Sequence, residues 1–391
     1  MGATCRETST QICAAVRACV PQLQAATEAT DRDRRLPGEV LVALRAAGVY
    51  RMLVPAALHG TPVDLHGCLE VLETVAEGNS AAGWNLATST WAALGALRLP
   101  HEGAMQVYAS GPDVLFAGGF AGSGSAVATD GGYRITGRFR LGSGCLDADW
   151  MLAGCQLRDG AGHVQDELGP PARLLAFLPR AVVTVDDTWH VAGLRGTGSH
   201  DWQVTDVFVP ACLAQVPTAL SPWPDLLTRL PVAVFTAVHL SAVATGIARR
   251  AIDSLITLAT CKYPTGMSGL LRERVQVQEA VARAEALLES ARAYRSHLVT
   301  DVWQTLTAYA PVSVQQRAQL RLAGIHAVES AVRAVDSMFH AGGTTAIADA
   351  SPLSHCFRDV HVVAQNMNVL PLFYESVGRV LLGLDSGTPL I

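Results

Sequence analysis

The stretch GRFRLGSGCLDADW, residues 137–150, decides how the rest of the chain is organised. It lies between a strand-like run at 132–136 and an apolar run that begins at Trp150. Between these runs, Leu141-Gly142-Ser143-Gly144 predicts a turn with two glycines around one serine. Because glycine has no Cβ, backbone N–H groups and the Ser143 hydroxyl can approach a flat polar ligand closely. The same pattern is also typical of an ordinary hairpin or bulge, and this stretch alone leaves both interpretations open.

Composition limits the classes of protein to which the chain can belong. Half of the 391 residues are apolar, 16% are charged and the net charge is −5, which indicates extensive burial in a core or in subunit interfaces. No basic block predicts a nucleic-acid partner, and no apolar run is long enough to cross a bilayer. The N-terminus lacks the order of a signal peptide, and the nine cysteines form no CxxC pair. We therefore expect a cytoplasmic protein without a metal site or a membrane association.

The chain divides into a helical, a strand-rich and a second helical segment. Residues 1–112 and 219–391 show helical apolar spacing, with a charged break at 31–35, whereas 113–218 is rich in glycine and short alternating runs. The pattern predicts an α+β fold with an N-terminal helical domain, a small β barrel or sandwich, and a C-terminal four-helix bundle. Strands are expected at 115–120, 132–136, 151–153, 174–178, 182–185 and 204–209. Helices are expected at 14–23, 38–47, 65–77, 81–97, 231–254, 270–298, 312–339 and, broken at Pro371, 354–382.

Two further glycine-rich segments are candidates for ligand binding. Residues 191–201, VAGLRGTGSHD, can present donors to a phosphate or a ring carbonyl, although a solvent-exposed turn fits equally well. Residues 340–345, HAGGTT, can receive a pyrophosphate, although a plain connector between helices is the more ordinary interpretation. The sequence has no GxGxxG between strand and helix, no P-loop, no HExxH and no GxSxG. A Rossmann-type dinucleotide site and a zinc hydrolase are therefore not expected.

Five segments in a fixed order give the chain a recognisable layout. It resembles the acyl-CoA dehydrogenase fold, and more closely the flavin-dependent monooxygenase branch of that fold, the group D two-component hydroxylases of phenols, steroids and polyketides. The resemblance covers nearly the whole chain, from about Leu36 to Leu382. The segments that carry it are GGYRITGR at 131–138, Ser143-Gly144, Ala148-Asp149-Trp150, GLRGTGS at 193–199, and 351–361 with its Phe357-Arg358-Asp359.

The resemblance implies a role for each matching residue. Ser143 takes the position of a hydroxyl beside the reactive edge of the flavin. Lys262 falls where the fold usually has an arginine that reaches the flavin phosphate of a neighbouring subunit; lysine keeps the charge but loses the two-pronged geometry. The remaining matches are Thr197, Gly198 and Ser199 in the loop against the ring, Gln278 towards the phosphate region, and the pair Gly342 and Gly343 at the phosphate end.

The segment after Asp359 argues against a dehydrogenase. Dehydrogenases of this fold commonly remove an α-proton with a glutamate there, whereas VHVVAQNMNVL at 360–370 has no carboxylate. A base from another segment is still open, as in some relatives. The hydroxylase branch often has histidine where this chain has Asn366, and asparagine can hydrogen-bond a flavin hydroperoxide but cannot take a phenol proton. His361, five residues before Asn366, lies on a different helical face and is no direct substitute by spacing. His101 and His200 are candidates from elsewhere, each more typical of a structural position.

The expected function is that of a flavin-dependent monooxygenase. A separate reductase would supply reduced FMN or FAD, and a C4a-hydroperoxide protected by Ser143 in a dry pocket would oxygenate a mid-sized organic substrate. The resemblance also implies a homotetramer. A flavin dehydrogenase or oxidase, or a paralogue that has lost catalysis, are the alternatives. Trp84 and Trp91, in the helix expected at 81–97, are more typical of a core than of a ligand box.

Overall fold

Helices occupy both ends of the chain and strands occupy its middle. The computed structural model describes residues 2–159, 173–216, 219–224, 226–230, 232–266, 268–388 and 390–391. The helices before the strands are α1 (Gly2–Ala25), α2 (Thr27–Asp33), α3 (Gly38–Ala46), α4 (Leu65–Gly78), α5 (Ser80–Ala96) and α6 (His101–Val107). Those after the strands are α7 (Val232–Ala259), α8 (Val275–Thr307), α9 (Val314–Gly342), α10 (Pro352–Val363) and α11 (Phe373–Leu381).

Local sequence signals account for several helix boundaries. Asn79 caps α5 as expected, because its side chain accepts a hydrogen bond from the Ala82 N–H at 3.0 Å. Gly48 follows α3 with φ +81°, the left-handed conformation that glycine adopts at little cost. The expected break at 31–35 is placed too early, because α2 continues to Asp33 and the chain turns at Arg34, where φ is +50°.

The C-terminal helices differ from expectation mainly at their ends. The helix expected at 270–298 begins later and ends later, as α8, because Leu271–Glu273 forms a separate 3₁₀ turn. The helix expected at 354–382 is two helices, α10 and α11, and the break extends well before Pro371. Pro231, the expected start of α7, and Pro217 and Thr218, at the expected boundary after the β segment, lie outside the described residues.

The described strands form one seven-stranded mixed sheet. Its order is β5-β6-β2-β1-β3-β4-β7, in which β1 pairs with β3 in parallel and with β2 antiparallel. The pairing of β1 with β3 shifts between Gly119 and Gly124, which marks a bulge that bends the long first strand. The strands are β1 (Phe116–Thr129), β2 (Gly132–Gly142), β3 (Trp150–Arg158), β4 (Arg173–Pro179), β5 (Thr184–Asp186), β6 (His200–Pro210) and β7 (Ala214–Gln215).

One continuous apolar core runs through the helices and the sheet. A buried ion pair lies within the helical part of it: the Glu73 carboxylate of α4 accepts from Arg295 at 2.6 Å and from Thr245 at 2.8 Å. Burial opposes the ionised form of Glu73, but the charges of Arg295 and Arg292 outweigh it, so the pKa of Glu73 is lowered. The N-terminal and C-terminal helices are therefore joined by charge as well as by apolar contact.

Candidate active site

The turn that contains Ser143 is a crossover and not a hairpin. β2 ends at Gly142, and the chain then passes the end of β1 to begin β3 on the far side, where Trp150 pairs with Phe116. Leu141 has φ +60° and Gly144 has φ +75°, so the backbone bends sharply on both sides of Ser143. The hairpin interpretation of this stretch is therefore wrong, because β2 and β3 are not neighbours in the sheet.

The Ser143 side chain is buried in a chain of hydrogen bonds. Its Oγ accepts from the indole Nε1–H of Trp84 at 3.0 Å and lies 2.7 Å from Ser199 Oγ. Ser199 Oγ lies 2.7 Å from Thr197 Oγ1, which donates to the Leu194 carbonyl at 2.8 Å. Ser143, Thr197 and Ser199 thus form what we call the hydroxyl cluster, joining two segments that are distant in sequence.

The loop at 193–199 is packed into the protein and is not a solvent-exposed turn. Thr197, Gly198 and Ser199 are all buried. The Gly144 N–H donates to the Thr197 carbonyl at 2.8 Å, which ties this loop to the turn after β2. A Cβ on Gly193 would lie 2.2 Å from the Arg358 carbonyl oxygen, so the loop approaches α10 more closely than any other residue would allow.

Asp359 of α10 holds the start of the same loop. Its Oδ1 accepts from the Leu194 N–H at 2.5 Å, and its Oδ2 accepts from the Ser80 hydroxyl at the start of α5. Burial, and then the negative charge of Asp31, raise the pKa of Asp359 to about 6. Leu194 itself has φ +50°, a strained conformation for a branched side chain that these contacts stabilise.

The candidate histidines have structural partners. His200 is buried, and its Nδ1 accepts from the Thr188 and Trp189 N–H groups at 3.2 Å. Burial lowers the pKa of His200, so the ring is held neutral. His361 Nε2 lies 3.0 Å from Asp336, and the His101 ring stacks on Trp223 at 4.7 Å. No contact recorded among the described residues joins these rings to Ser143.

Asn366 lies just after α10 and caps a short turn. Its Oδ1 accepts from both the backbone N–H and the side-chain Nδ2 of Asn368 at 3.0 Å. For the described part of the chain, no hydrogen bond is recorded for the Asn366 Nδ2. The side chain is half-buried. Its Oδ1 is therefore engaged in local structure, by the bonds to Asn368, whereas its Nδ2 is not.

Lys262, Gly342 and Gly343 meet at the ends of α7 and α9. The Lys262 Nζ donates to the Gly342 carbonyl at 2.6 Å, and Gly343 has φ +58°. We call these three residues the lysine–glycine cluster. Gln278, which is exposed on the first turns of α8, donates to the Arg272 carbonyl at 3.1 Å. No recorded contact between described residues joins Gln278 or this cluster to the hydroxyl cluster.

Two residues near Ser143 were not assigned to the candidate site from the sequence. Trp84 was expected in the core, and it is buried there, but its indole N–H is the donor to Ser143. Asn85 is next to it, and its Oδ1 is buried with no hydrogen-bond partner among the described residues. The Nδ2 of the same Asn85 amide lies 3.5 Å from the position of a Cβ on Gly144. An orphaned acceptor beside the Ser143 turn indicates a place for a ligand that carries N–H groups.

The described residues form neither a candidate metal centre nor a helix that could span a membrane. Within residues that have a described placement, no three His, Cys, Asp or Glu side chains come close enough together to hold a metal ion. The helices of the same residues include none that is long and apolar enough to cross a membrane.

Comparison with known proteins gives consistent matches over nearly the whole chain. The family model described as acyl-CoA dehydrogenase, C-terminal domain, matches residues 238–369. An indole-3-acetate monooxygenase of Pseudomonas putida is 34% identical over 353 residues, which cover 90% of this chain and 89% of that protein. The flavin-dependent monooxygenase oxygenase subunit HsaA of Rhodococcus jostii is 28% identical over 359 residues, covering 88% of this chain and 91% of the relative. The solved structure of XiaF from Streptomyces, in complex with FADH2 and glycerol, has a TM-score of 0.89 at 23% identity, covering 98% of each chain.

Proposed function

Because the chain belongs to the flavin-dependent monooxygenases that have the acyl-CoA dehydrogenase fold, we propose that it inserts oxygen into an electron-rich aromatic substrate beside Ser143. It is an oxidoreductase that uses a reduced flavin, FMN or FAD, from a separate reductase. When bound, the reduced flavin supplies the electrons with which one atom of O2 enters the substrate and the other leaves as water. The observation that carries the proposal is the buried hydroxyl cluster anchored by Trp84.

The residues around the Ser143 turn fit the edge of a reduced flavin. Such a ring presents N–H donors along one edge, and the residues around the turn offer acceptors for them. The buried Asn85 Oδ1 lacks a donor among the described residues, and Gly144 beside it has no side chain that would keep a ligand away. We assign Ser143 to this edge, and Thr197, Gly198 and Ser199 to the wall behind it.

The side chains present favour a substrate that needs no strong base. His200 is held neutral with its Nδ1 occupied, and the position after α10 that often carries histidine is Asn366. An indole ring is activated by its own nitrogen and requires no deprotonation of a phenol before oxygen transfer. The relative from Pseudomonas putida is named for indole-3-acetate, and we propose a similar aromatic substrate here. Asn366 would contribute through its Nδ2, since its Oδ1 is committed to Asn368.

The lysine–glycine cluster is proposed to bind the phosphate end of the flavin. Lys262 supplies a positive charge, and Gln278 lies on the helix that follows the same loop. Exposed apolar side chains flank this region, with Tyr263 and Val275 each 69% exposed and Ile347 65% exposed. Such a surface is better explained by a subunit interface than by water. We therefore propose a homotetramer in which this cluster serves the flavin of a neighbouring subunit.

The arrangement of segments supports a division of the chain into three domains. We propose that residues 1–112 and 219–391 form the helical domains, with the β domain at 113–218 between them. We also propose a cytoplasmic location, where free cysteines and a flavin reductase would be expected together.

Oxygen labelling tests the proposed reaction. The protein is loaded without air with FADH2 or FMNH2, then mixed with ¹⁸O2 and indole-3-acetate, and the product is weighed by mass spectrometry. We expect one ¹⁸O atom in each product molecule. Ser143→Ala should lower the product formed per reduced flavin consumed by at least about tenfold, because an unprotected site wastes oxygen.

Ser290, an exposed serine on α8, provides the matched control, and Ser290→Ala should behave as the unchanged protein. Bleaching of bound oxidised flavin by an acyl-thioester, without incorporation of label, would favour a dehydrogenase. Failure to bind either flavin would favour a paralogue without catalysis. Both results contradict the proposal, and they are told apart by the flavin absorbance.

A further inference from the structure

We propose that the Leu194 carbonyl, acting through Thr197 and Ser199, makes Ser143 a hydrogen-bond acceptor towards its ligand, and that this selects reduced over oxidised flavin. The inference rests on the proposed function, because it needs the flavin edge beside Ser143. It assigns Thr197 a positioning role that the sequence comparison does not give it.

The ends of the hydrogen-bond chain fix its direction. The Trp84 indole N–H can only donate, and the Leu194 carbonyl can only accept. Between them lie three hydroxyls, each with one proton, and three gaps to fill: Ser143 to Ser199, Ser199 to Thr197, and Thr197 to the carbonyl. All three gaps are filled only when each hydroxyl donates towards Leu194. The three hydroxyls are buried, so no water competes for these protons.

The direction determines what Ser143 can offer. Its oxygen accepts from Trp84 and its proton points to Ser199, which leaves one lone pair and no proton for a ligand. The reverse direction would free the Ser143 proton, but it would remove the Thr197 hydroxyl from the Leu194 carbonyl. Among the described residues, that carbonyl would keep two donors, the Trp189 indole at 3.1 Å and the Thr197 backbone N–H at 3.2 Å. Before a ligand binds, the Ser143 oxygen of the hydroxyl cluster can therefore accept a hydrogen bond but cannot donate one.

Reduced and oxidised flavins differ in the hydrogen-bonding group that they would present to Ser143. The central ring of the reduced form carries an N–H that the oxidised form lacks; in the oxidised form the same nitrogen is an acceptor. A Ser143 oxygen with a free lone pair matches the first and opposes the second. Selection of the reduced form would let an oxygenase take its cofactor from a reductase and release it once spent.

Thr197→Val removes the last link without changing the shape of the side chain. Ser199 then loses its acceptor and turns its proton to Ser143, whose own proton becomes free for the ligand. We expect the ratio of the dissociation constants, oxidised over reduced flavin, to fall about three- to tenfold. A tenfold change lowers the two-electron midpoint potential of the bound flavin by about 30 mV. Thr197→Ser keeps the hydroxyl and should restore the ratio.

Trp84→Phe tests whether the ratio depends on the direction of the hydrogen bonds or on the anchoring of Ser143 by the Trp84 indole. It removes the donor to Ser143 but leaves the Leu194 end intact, so both flavin forms should bind less tightly and the ratio should stay the same. Trp189→Phe is the matched control at the other end, because it removes an indole donor to Leu194 without breaking the chain of hydroxyls. Ser199→Ala removes the middle link and should change the ratio in the same sense as Thr197→Val.

The measurement is anaerobic titration of each variant with FAD and FADH2, followed by a potentiometric titration of the bound flavin. A fall of the ratio in Thr197→Val and Ser199→Ala, reversed in Thr197→Ser, supports the inference. An unchanged ratio in both variants overturns it and leaves the oxygenase function standing. If the unchanged protein binds no reduced flavin, the proposed function fails and the inference fails with it.

Discussion

The hydroxyl cluster and the lysine–glycine cluster are built in opposite ways. Ser143 and its partners are buried, and each hydroxyl is committed to another group of the same chain. Lys262 is half-buried, Gly343 is exposed, and exposed apolar residues surround them. The first cluster is held together by contacts within one chain, whereas the second lies at an exposed surface, where we propose that a neighbouring subunit binds.

The glycines show the same contrast in packing. A Cβ on Gly193 would lie 2.2 Å from the Arg358 carbonyl oxygen, which the backbone of α10 holds in place. Within 4 Å, a Cβ on Gly343 would meet one atom of the described residues, the Lys262 Nζ at 3.6 Å, at the end of a flexible side chain. Close approach is thus the main constraint at Gly193, and backbone conformation is the main constraint at Gly343.

The largest expected effect compares these two glycines. Gly193→Ala should lower the free energy of unfolding by about 3 kcal/mol, because neither backbone can move away without displacing the loop or α10. Gly343→Ala should lower it by about 1–2 kcal/mol, because φ +58° with ψ −147° is a conformation that alanine rarely adopts. Urea unfolding of both variants measures the difference. Equal losses would contradict the contrast in packing.

The next effect concerns the pH dependence of the loop that holds Thr197 and Ser199. Asp359 has a pKa of about 6 in the folded protein, above its ordinary value of 3.8, so the folded state binds this proton more tightly. Its contribution to stability is complete below pH 3.8 and is lost as the pH rises through 6. The difference in unfolding free energy between the unchanged protein and Asp359→Asn should therefore change by up to about 3 kcal/mol between pH 4 and 7. Asparagine can accept from the Leu194 N–H and donate to the Ser80 hydroxyl, but it does not titrate. A pH-independent difference would therefore contradict the assignment.

A smaller effect is expected at the lysine–glycine cluster. Lys262→Met should change the free energy of unfolding by less than about 1 kcal/mol, because the side chain is only half-buried. It should weaken the binding of reduced flavin by about tenfold at low salt, and by less at high salt, because a phosphate contact near the surface is screened. Lys262→Arg should bind at least as tightly as lysine. Flavin titrations at two salt concentrations provide the test, and a salt-independent loss would count against a phosphate site.

The smallest effect separates the two polar atoms of Asn366. Asn366→Asp keeps the oxygen that accepts from Asn368 and loses the Nδ2 donor. It should leave the free energy of unfolding within about 0.5 kcal/mol of the unchanged protein while lowering the product per reduced flavin severalfold. Asn366→Ala should also cost about 1 kcal/mol of stability through the lost cap. If Asn366→Asp retains full product yield, Asn366 is a structural cap alone.

Local signals in the sequence predicted much of the fold. The cap at Asn79 and the glycine after α3 were identified correctly, because caps depend on neighbouring residues alone. The parallel pairing of β1 with β3 could not be predicted in this way, since it depends on which strands meet across the whole sheet. For the same reason Ser143 was first compatible with a hairpin.

The sequence named the three members of the hydroxyl cluster but not the hydrogen bonds that connect them. Ser143, Thr197 and Ser199 were identified through a family pattern, yet nothing in the spacing of 56 residues indicates that Ser143 bonds Ser199. Trp84 was assigned to the core because buried tryptophans usually lie there, and the partner of an indole N–H cannot be read from a helix pattern. Asn85 stood out only once its oxygen was found buried without a donor among the described residues.

One crystal structure tests the contrast between the two clusters most directly: the assembled protein with FADH2 bound under anaerobic conditions. The account predicts a ring edge within hydrogen-bonding distance of Ser143 Oγ in one subunit, with the phosphates of that same flavin beside Lys262 and Gly343 of a different subunit. A flavin held entirely by one chain, or one whose ring lies away from the hydroxyl cluster, would contradict it.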